Sequence, residues 1–334
     1  MPSMSDDLCQ ILVSASRDWR GGAPGDAMLK TTSRFLAGVA EDTSWLTRAT
    51  ELLGSCEPGE AAWIAVACAT AVERGAPVLL TGSPVLELFL EWLPRLPQVS
   101  EEAEERPTQT SEQTALLEVF PFLCQAVVSH LARLPARRQA MGREVQLLER
   151  LSGLQALSHG AIWVREALLK TSGTIILLHP PSGQGCRVGY SNVANCFHLF
   201  SLLQTAVGTR LPGGRTPDAS IVQVARGRGS EQVHDEAWWH YGSAQSKKAE
   251  LEASIWGEGL VREIPMIEGV QVILAWPPLL GSRVWDAGFF GPHLEALPAD
   301  AVVEQELSAA ESEAWLKRLG IERRKKWWRW SSRG

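Results

Sequence analysis

The sequence lacks the short motifs that mark the commonest catalytic and nucleotide-binding sites. It contains no CxxC pair, no HExxH pattern, no G-x-S-x-G elbow and no P-loop ending in Gly-Lys. Each of these patterns sets nucleophiles, metal ligands or backbone amides at the spacing that its chemistry requires. We therefore expect no cofactor and no metal ion, and the sequence favours a non-enzymatic role over catalysis.

The sequence also has no long apolar run and no leader-like start. The apolar segment over 61–71 is well short of the roughly 20 residues that a membrane-spanning helix needs. Near the N-terminus, Asp6 and Asp7 precede only a short apolar run over 11–13, whereas a signal peptide has a basic segment followed by an apolar core. We expect no signal peptide and a cytoplasmic location.

Cysteine and lysine are both scarce. The six cysteines are scattered and mostly lie in apolar helical patterns, which is typical of small buried side chains in a reducing compartment. Lysines make up only seven of the 32 basic residues, and the abundance of arginine, alanine and tryptophan is typical of a GC-rich bacterial genome. With 45% hydrophobic and 21% charged residues over 334 positions, the chain is long enough for two domains with cores of their own.

The order of periodic segments predicts an α+β fold, with a mainly helical N-terminal region followed by a C-terminal region of β-hairpins and packing helices. Apolar residues recur at helical spacing through 1–96 and again through 114–173. Between them, 97–113 is an acidic flexible linker, because it has almost no large apolar side chains to offset the entropy of ordering. Strand-like runs follow in an α+β domain over 174–320, and a basic aromatic tail occupies 321–334.

The passage that begins the α+β domain is the most regular part of the chain. A run over 174–178 rich in Ile and Leu predicts a buried strand, and a Gly-rich turn over 182–185 joins it to a second strand over 186–190. Ser191 then predicts the N-cap of an amphipathic helix that ends at Gly208. We interpret this passage as a scaffold, since it carries no phosphate-binding or nucleophile motif.

Three further elements are predicted from spacing. Apolar residues over 141–157 predict one continuous helix. Segments 260–264 and 270–276 predict two strands joined by a longer loop. The amphipathic pattern over 302–319 predicts a last helix.

The densest group of titratable side chains lies near the middle of the α+β domain. His234, Asp235 and His240, together with Glu258, are the candidates for acid–base catalysis in a hydrolase or transferase. The two histidines are six residues apart and would not share a helix face, so a solvated polar loop is the alternative interpretation. Cys196 lies on the apolar stripe of its predicted helix and His198 lies off it, which disfavours a Cys–His pair.

Tryptophan is concentrated in the last third of the chain. Trp238, Trp239 and Trp256 are candidates for a surface that binds another protein, because Trp is over-represented in interface hot spots. The alternative is that they fill the core, where Trp contributes a large apolar area. We expect a protein-binding role, which could be regulatory, accessory or neutralising toward its partner.

The C-terminal tail has a composition unlike the rest of the chain. The formal net charge is −6, yet the tail after Glu322 carries six cations and no acid, so the remainder carries −12. Its candidate contact residues are Arg324, Lys325, Trp327, Trp328 and Trp330. Three interpretations stay open: docking on the acidic body of the protein, contact with an anionic membrane surface, or weak nucleic-acid contact by cations and stacking.

Overall fold

A computed structural model describes most of the chain and divides it into two units. The described residues are 4–98, 109–228, 239–280 and 297–321. The units are Met1–Leu168 and Leu169–Gly334. The first is helical and the second contains a mixed sheet, which confirms the α+β fold class.

Helices make up the described part of the first unit. They are α1 Met4–Ser16, α2 Asp26–Glu41, α3 Ser44–Glu51, α4 Pro58–Glu73, α5 Gly82–Arg95, α6 Ser111–Arg133, α7 Pro135–Met141, α8 Val145–Leu154 and α9 His159–Leu169. Helix α4 is central: it is apolar nearly all round and packs against α1, α2, α3 and α6. It begins with Pro58, where the missing amide has no helical partner to lose, and with a capping box between Glu57 and Glu60.

One predicted helix is interrupted in the structure. Instead of a continuous helix over 141–157, α7 ends at Met141 and α8 begins at Val145. A Cβ on the intervening Gly142 would lie 2.3 Å from the Leu168 carbonyl oxygen. This close backbone approach requires glycine at position 142, and helical periodicity does not reveal such a contact.

Among the described helices, α6 is long and apolar enough to cross a membrane. However, 61% of its most apolar window is buried inside the protein, where α6 packs against α4 and α5. Its N-terminus is capped by a reciprocal pair, in which Gln113 N donates to Thr110 Oγ1 over 3.2 Å and Thr110 N donates to the Gln113 side chain over 3.1 Å. The apolar surface of α6 is thus used in packing within the unit.

The second unit is built on a mixed sheet. Its strands are β1 Thr171–His179, β2 Gln184–Val193, β3 His240–Ser243, β4 Met266–Ile267, β5 Val270–Trp276 and β6 Asp300–Glu306. The spatial order is β3-β5-β1-β2-β6, and β4 pairs with β5. Strands β1 and β5 run parallel, whereas the other described pairs are antiparallel.

The predicted hairpin and helix at the start of this unit are confirmed, with one correction. β1 and β2 pair directly through the Gly-rich turn, and α10 Cys196–Val207 ends at Gly208, whose φ is +50°. The N-cap is Asn195 rather than Ser191, because β2 continues to Val193. Asn195 Oδ1 accepts a hydrogen bond of 2.9 Å from the His198 amide.

Alternating side chains give the sheet two apolar faces. Ile175 and Leu177 belong to the cluster that α10 and α11 Ala219–Ala225 cover, while Ile176 and Leu178 belong to a second cluster that contains Leu316 of α12 Ala309–Arg318. This is the period of two that a strand buried on both faces requires.

The predicted strand over 260–264 and the longer loop predicted to follow it are both wrong. Residues 260–264 contain a single 3₁₀ turn, Val261–Glu263, and the hairpin is formed by β4 and β5 around a two-residue turn. Glu268 and Gly269 both have positive φ, 52° and 80°, as a type I′ turn needs.

The predicted last helix is a strand followed by a helix. Residues 302–306 belong to edge strand β6, and α12 begins only at Ala309. The β-branched pair Val302 and Val303 favours a strand. Ser308 sets the helix start through a capping box, with its hydroxyl accepting from the Glu311 amide over 3.2 Å.

Candidate functional site

Many of the residues proposed from the sequence fall outside the described part of the chain. These are His234, Asp235, Trp238, Arg324, Lys325, Trp327, Trp328 and Trp330. The described candidates are His240, Glu258, Trp239 and Trp256.

The two described acid–base candidates do not line a common cavity. His240 is the first residue of β3, is 5% exposed, and lines a cavity of about 10 Å³, enough for one water, together with Ser254. Glu258 is exposed and does not line that cavity. The described chain therefore offers His240 in a closed core position, without a neighbouring space for a substrate.

The two described tryptophans have opposite environments. Trp239 is 1% exposed, and its indole Nε1 donates a 2.9 Å hydrogen bond to the Pro212 carbonyl. Its ring meets Tyr241 edge-on at 6.2 Å, so it is a core residue instead of the surface residue suggested by the sequence. Trp256 is 48% exposed and lies at a pocket.

This pocket, which we call the β3–β4 pocket, is the larger of the two described cavities that Trp256 lines. It has a volume of about 410 Å³ and lies beside the sheet edge formed by β3 and β4. Its lining comes from segments within 243–246, 252–256 and 259–265, with Cys196 from the start of α10.

Backbone hydrogen bonds fix the segment that forms most of the pocket. The Ile255 amide donates to the Tyr241 carbonyl of β3 over 2.8 Å. On the other side, the amides of Cys196 and Phe197 donate to the carbonyls of Gly259 and Gly257, each over 2.9 Å. These backbone hydrogen bonds hold the segment to both β3 and α10, and the Gln271 side chain adds a 2.6 Å hydrogen bond to the Val261 carbonyl.

Gly257 is required where the segment crosses α10. A Cβ at this position would lie 2.3 Å from two carbons of the Phe197 ring, and Phe197 is 8% exposed and packed in the core. A side chain would therefore displace either the ring or the segment that carries Trp256.

The pocket is acidic. Glu252 and Glu263 line it, both are exposed, and neither forms an ion pair with the described part of the chain. Glu263 accepts a hydrogen bond of 3.4 Å from the Leu260 amide, which orients it within its 3₁₀ turn. Two carboxylates without an ion pair in the described chain and a half-exposed indole line the same pocket, and both kinds of group attract cations.

The same electrostatics make Cys196 a poor nucleophile. Burial, with a smaller contribution from the carboxylates of Glu263 and Glu258, raises the pKa of its thiol to about 12. The reactive form of cysteine is the thiolate, so at neutral pH this side chain is an inert thiol. His198 does not act as a base for Cys196 in this arrangement. The side-chain Nδ2 of Asn195 lies 3.3 Å from His198 Nδ1 and donates a hydrogen bond to it.

No group of three or more His, Cys, Asp and Glu side chains within the described ranges could hold a metal ion. The pocket acids were missed by the sequence analysis, which gave weight to the histidines and tryptophans. A signal was available: Glu250, Glu252, Glu258 and Glu263 surround Trp256 within 14 residues. That density of acids around one aromatic residue indicates a cation-attracting loop.

No family model, no curated protein and no solved structure matches this chain.

Proposed function

We propose that this chain is a cytoplasmic bacterial protein of regulatory, accessory or partner-neutralising type, which binds a basic segment of another protein. The β3–β4 pocket of the C-terminal unit receives an arginine or lysine side chain of that segment. The observation that carries the proposal is that Glu252 and Glu263, unpaired within the described chain, share a pocket of about 410 Å³ with the half-exposed Trp256.

The pocket offers two kinds of contact to a cation and a third to the backbone of the segment that carries it. The carboxylates of Glu252 and Glu263 accept charge-assisted hydrogen bonds, which are shorter and stronger than neutral ones. The face of Trp256 attracts a cation within about 6 Å of its ring, with a contribution of about 0.5–2 kcal/mol that depends on desolvation. Ser243, Gln245 and other polar groups supply donors and acceptors for the backbone of the bound segment.

Pre-organisation supports a recognition role. The hydrogen bonds to β3 and to α10 hold the pocket segment in place before any ligand arrives. Binding therefore does not have to order this loop, and that cost is a large part of what opposes association. A volume of about 410 Å³ lies within the range of about 300–1,000 Å³ seen for ligand pockets.

The proposal is tested with labelled peptides of defined charge. A fluorescein-labelled Gly-Ser-Arg-Arg-Ser-Gly peptide is titrated against the purified chain by anisotropy, with a citrulline peptide as a neutral probe of the same shape. We expect the arginine peptide to bind and the citrulline peptide to bind at least about 10-fold more weakly, because charge-assisted hydrogen bonds contribute about 1.5–3 kcal/mol each.

Substitution of the pocket acids localises the binding. Glu252→Gln with Glu263→Gln should weaken the arginine peptide by at least about 10-fold, and Trp256→Ala by a smaller factor. The matched control is Glu313→Gln, which removes one exposed negative charge from α12 and none from the pocket. Equal binding of both peptides, or unchanged binding by the double variant, would refute the proposal.

A further inference from the structure

The described chain ends close to the loop that follows β3. Ile321 is 7% exposed and packs in the same cluster as Ala244, which follows β3. A Cβ on the preceding Gly320 would lie 2.9 Å from Lys247 Nζ, so the end of α12 contacts this loop. Gln245 and Ser246 of the same loop line the pocket. The end of α12 therefore contacts a loop that also supplies two residues of the pocket lining.

The composition of these residues complements the pocket. The sequence 323–334 carries six cations, three tryptophans and no acid. The pocket presents Glu252 and Glu263, neither of them paired within the described chain, and an exposed indole. Lys247 and Lys248 are exposed at the exit point and repel the cations of the tail, so the attraction is supplied by the pocket carboxylates.

The tail is long enough to reach across the loop that follows β3. Extended chain covers about 3.3–3.6 Å per residue, so residues 322–329 can span up to about 26–29 Å from Ile321. A ligand on such a short tether has an effective concentration of the order of 1 mM. If the separate tail peptide bound the pocket with a dissociation constant of about 0.1 mM, the tethered tail would make the occupied pocket about 10 times more populated than the empty one.

We propose that residues 323–334 bind in cis to the β3–β4 pocket and compete with basic partner segments, so that the chain inhibits its own binding site. This inference rests on the proposed function, since it gives the same pocket an internal ligand. Release of the tail, by a stronger partner or by proteolysis after Glu322, opens the site.

The test compares the full chain with a truncation that ends at Glu322. A fluorescein-labelled peptide with the sequence of 323–334 is titrated against each by anisotropy. We expect the truncated chain to bind the peptide about 10-fold more tightly than the full chain does. The double substitution Glu252→Gln and Glu263→Gln in the truncated chain should abolish this tighter binding of the tail peptide. Glu313→Gln in the same chain should leave it intact.

A full-length variant in which the six tail cations are replaced by glutamine provides a second measure. It keeps the chain length, and we expect it to bind the Gly-Ser-Arg-Arg-Ser-Gly peptide as tightly as the truncated chain. Equal affinity of the full and truncated chains for that peptide, with binding still sensitive to the pocket acids, would overturn the inference and leave the proposed function standing. Failure of both chains to bind it would refute the proposed function itself.

A membrane role for the tail gives a different result. Vesicles of phosphatidylglycerol and phosphatidylcholine are sedimented with the full and the truncated chains. Tail-dependent sedimentation, combined with no binding of the tail peptide to the truncated chain, would overturn the cis contact in favour of a lipid surface.

Discussion

His179 should make the C-terminal unit lose stability in mildly acidic solution. It is the last residue of β1, is 5% exposed, and its Nδ1 lies 2.8 Å from Ser182 Oγ. The Ser182 amide also donates to Nδ1 over 3.3 Å, which favours the neutral ring with Nδ1 as an acceptor in the folded turn. Burial lowers the pKa of His179 from 6.5 to about 4.

The sign follows from proton uptake. Since the folded pKa is depressed, the unfolded chain binds the proton more readily than the folded chain between pH 6.5 and about 4. Stability is complete above pH 6.5, falls as the pH decreases through this window, and loses nothing more from His179 below it. At pH 4.5 the loss of unfolding free energy relative to pH 7.5 should be about 2.5 kcal/mol.

The measurement is urea unfolding of the wild type and of His179→Asn at several pH values from 7.5 to 4.5, followed by circular dichroism. Asn keeps an acceptor for the Ser182 amide but does not titrate. The difference in unfolding free energy between the two proteins should therefore shift by about 2.5 kcal/mol in favour of the variant as the pH falls.

Taking the difference cancels the contributions of the other titrating groups, including His130, whose pKa is also lowered by burial. Hydrogen exchange over 171–193 assigns the effect to the hairpin. Parallel pH curves for wild type and variant would refute the argument, because they would show that His179 does not resist protonation in the folded state.

Three further outcomes are expected. Tyr190→Phe should lower the free energy of unfolding in urea by about 1–3 kcal/mol. The Tyr190 hydroxyl donates a 2.7 Å hydrogen bond to the buried Gln271 side chain, which would lose this partner. An unchanged unfolding midpoint would contradict this. Gly257→Ala should weaken arginine-peptide binding through its clash with Phe197, and wild-type affinity would show that the segment adapts. Cys196 should resist iodoacetamide at pH 8 in the native protein and react in urea, as read by peptide mass spectrometry, since its thiol pKa is about 12; rapid native labelling would contradict its burial.

Local patterns were sufficient for the elements whose partners lie close in sequence. The β1–β2 hairpin, its turn and α10 form from one contiguous stretch, so the Gly-rich turn and the apolar runs predict them directly. The N-cap moved from Ser191 to Asn195 because Ser191 pairs with Asp300 of β6, more than a hundred residues away, and Val193 pairs with Thr171 of β1, so that β2 continues beyond Ser191. A cap near a strand end is therefore decided by tertiary contacts as well as by residue type.

The same physics explains the misassigned last helix. In 302–319 apolar residues occur at spacings that suit a helix, but the first part supplies edge strand β6 beside β2. β6 gains its hydrogen bonds from β2, which lies more than a hundred residues earlier, so nothing in the local sequence marks where the strand ends and the helix begins except the cap. The capping box of Ser308 and Glu311 was the local sign that the helix starts later.

The candidate site depends still more on long-range contacts. Trp239 and Trp256 are the same residue type in the same polar region, yet one lies under the Pro212 carbonyl and the other lines a pocket. Their difference arises because the chain after β3 returns to pair with Tyr241 and with the start of α10. Neither contact has a sequence signature, so composition could indicate a Trp-rich binding region without indicating which Trp is exposed.

The positions of the two pocket acids also depend on this return of the chain. Glu252 and Glu263 are eleven positions apart and become neighbours of one pocket only because the intervening segment is held at both ends by backbone hydrogen bonds. Backbone bonds leave both carboxylates unpaired within the described chain, whereas a loop held by ion pairs would have used them internally. Like charges around one pocket repel each other, and the cation of the proposed function would relieve that repulsion. The tail and a partner segment are the two sources of such a cation, and the truncation experiment discriminates between them.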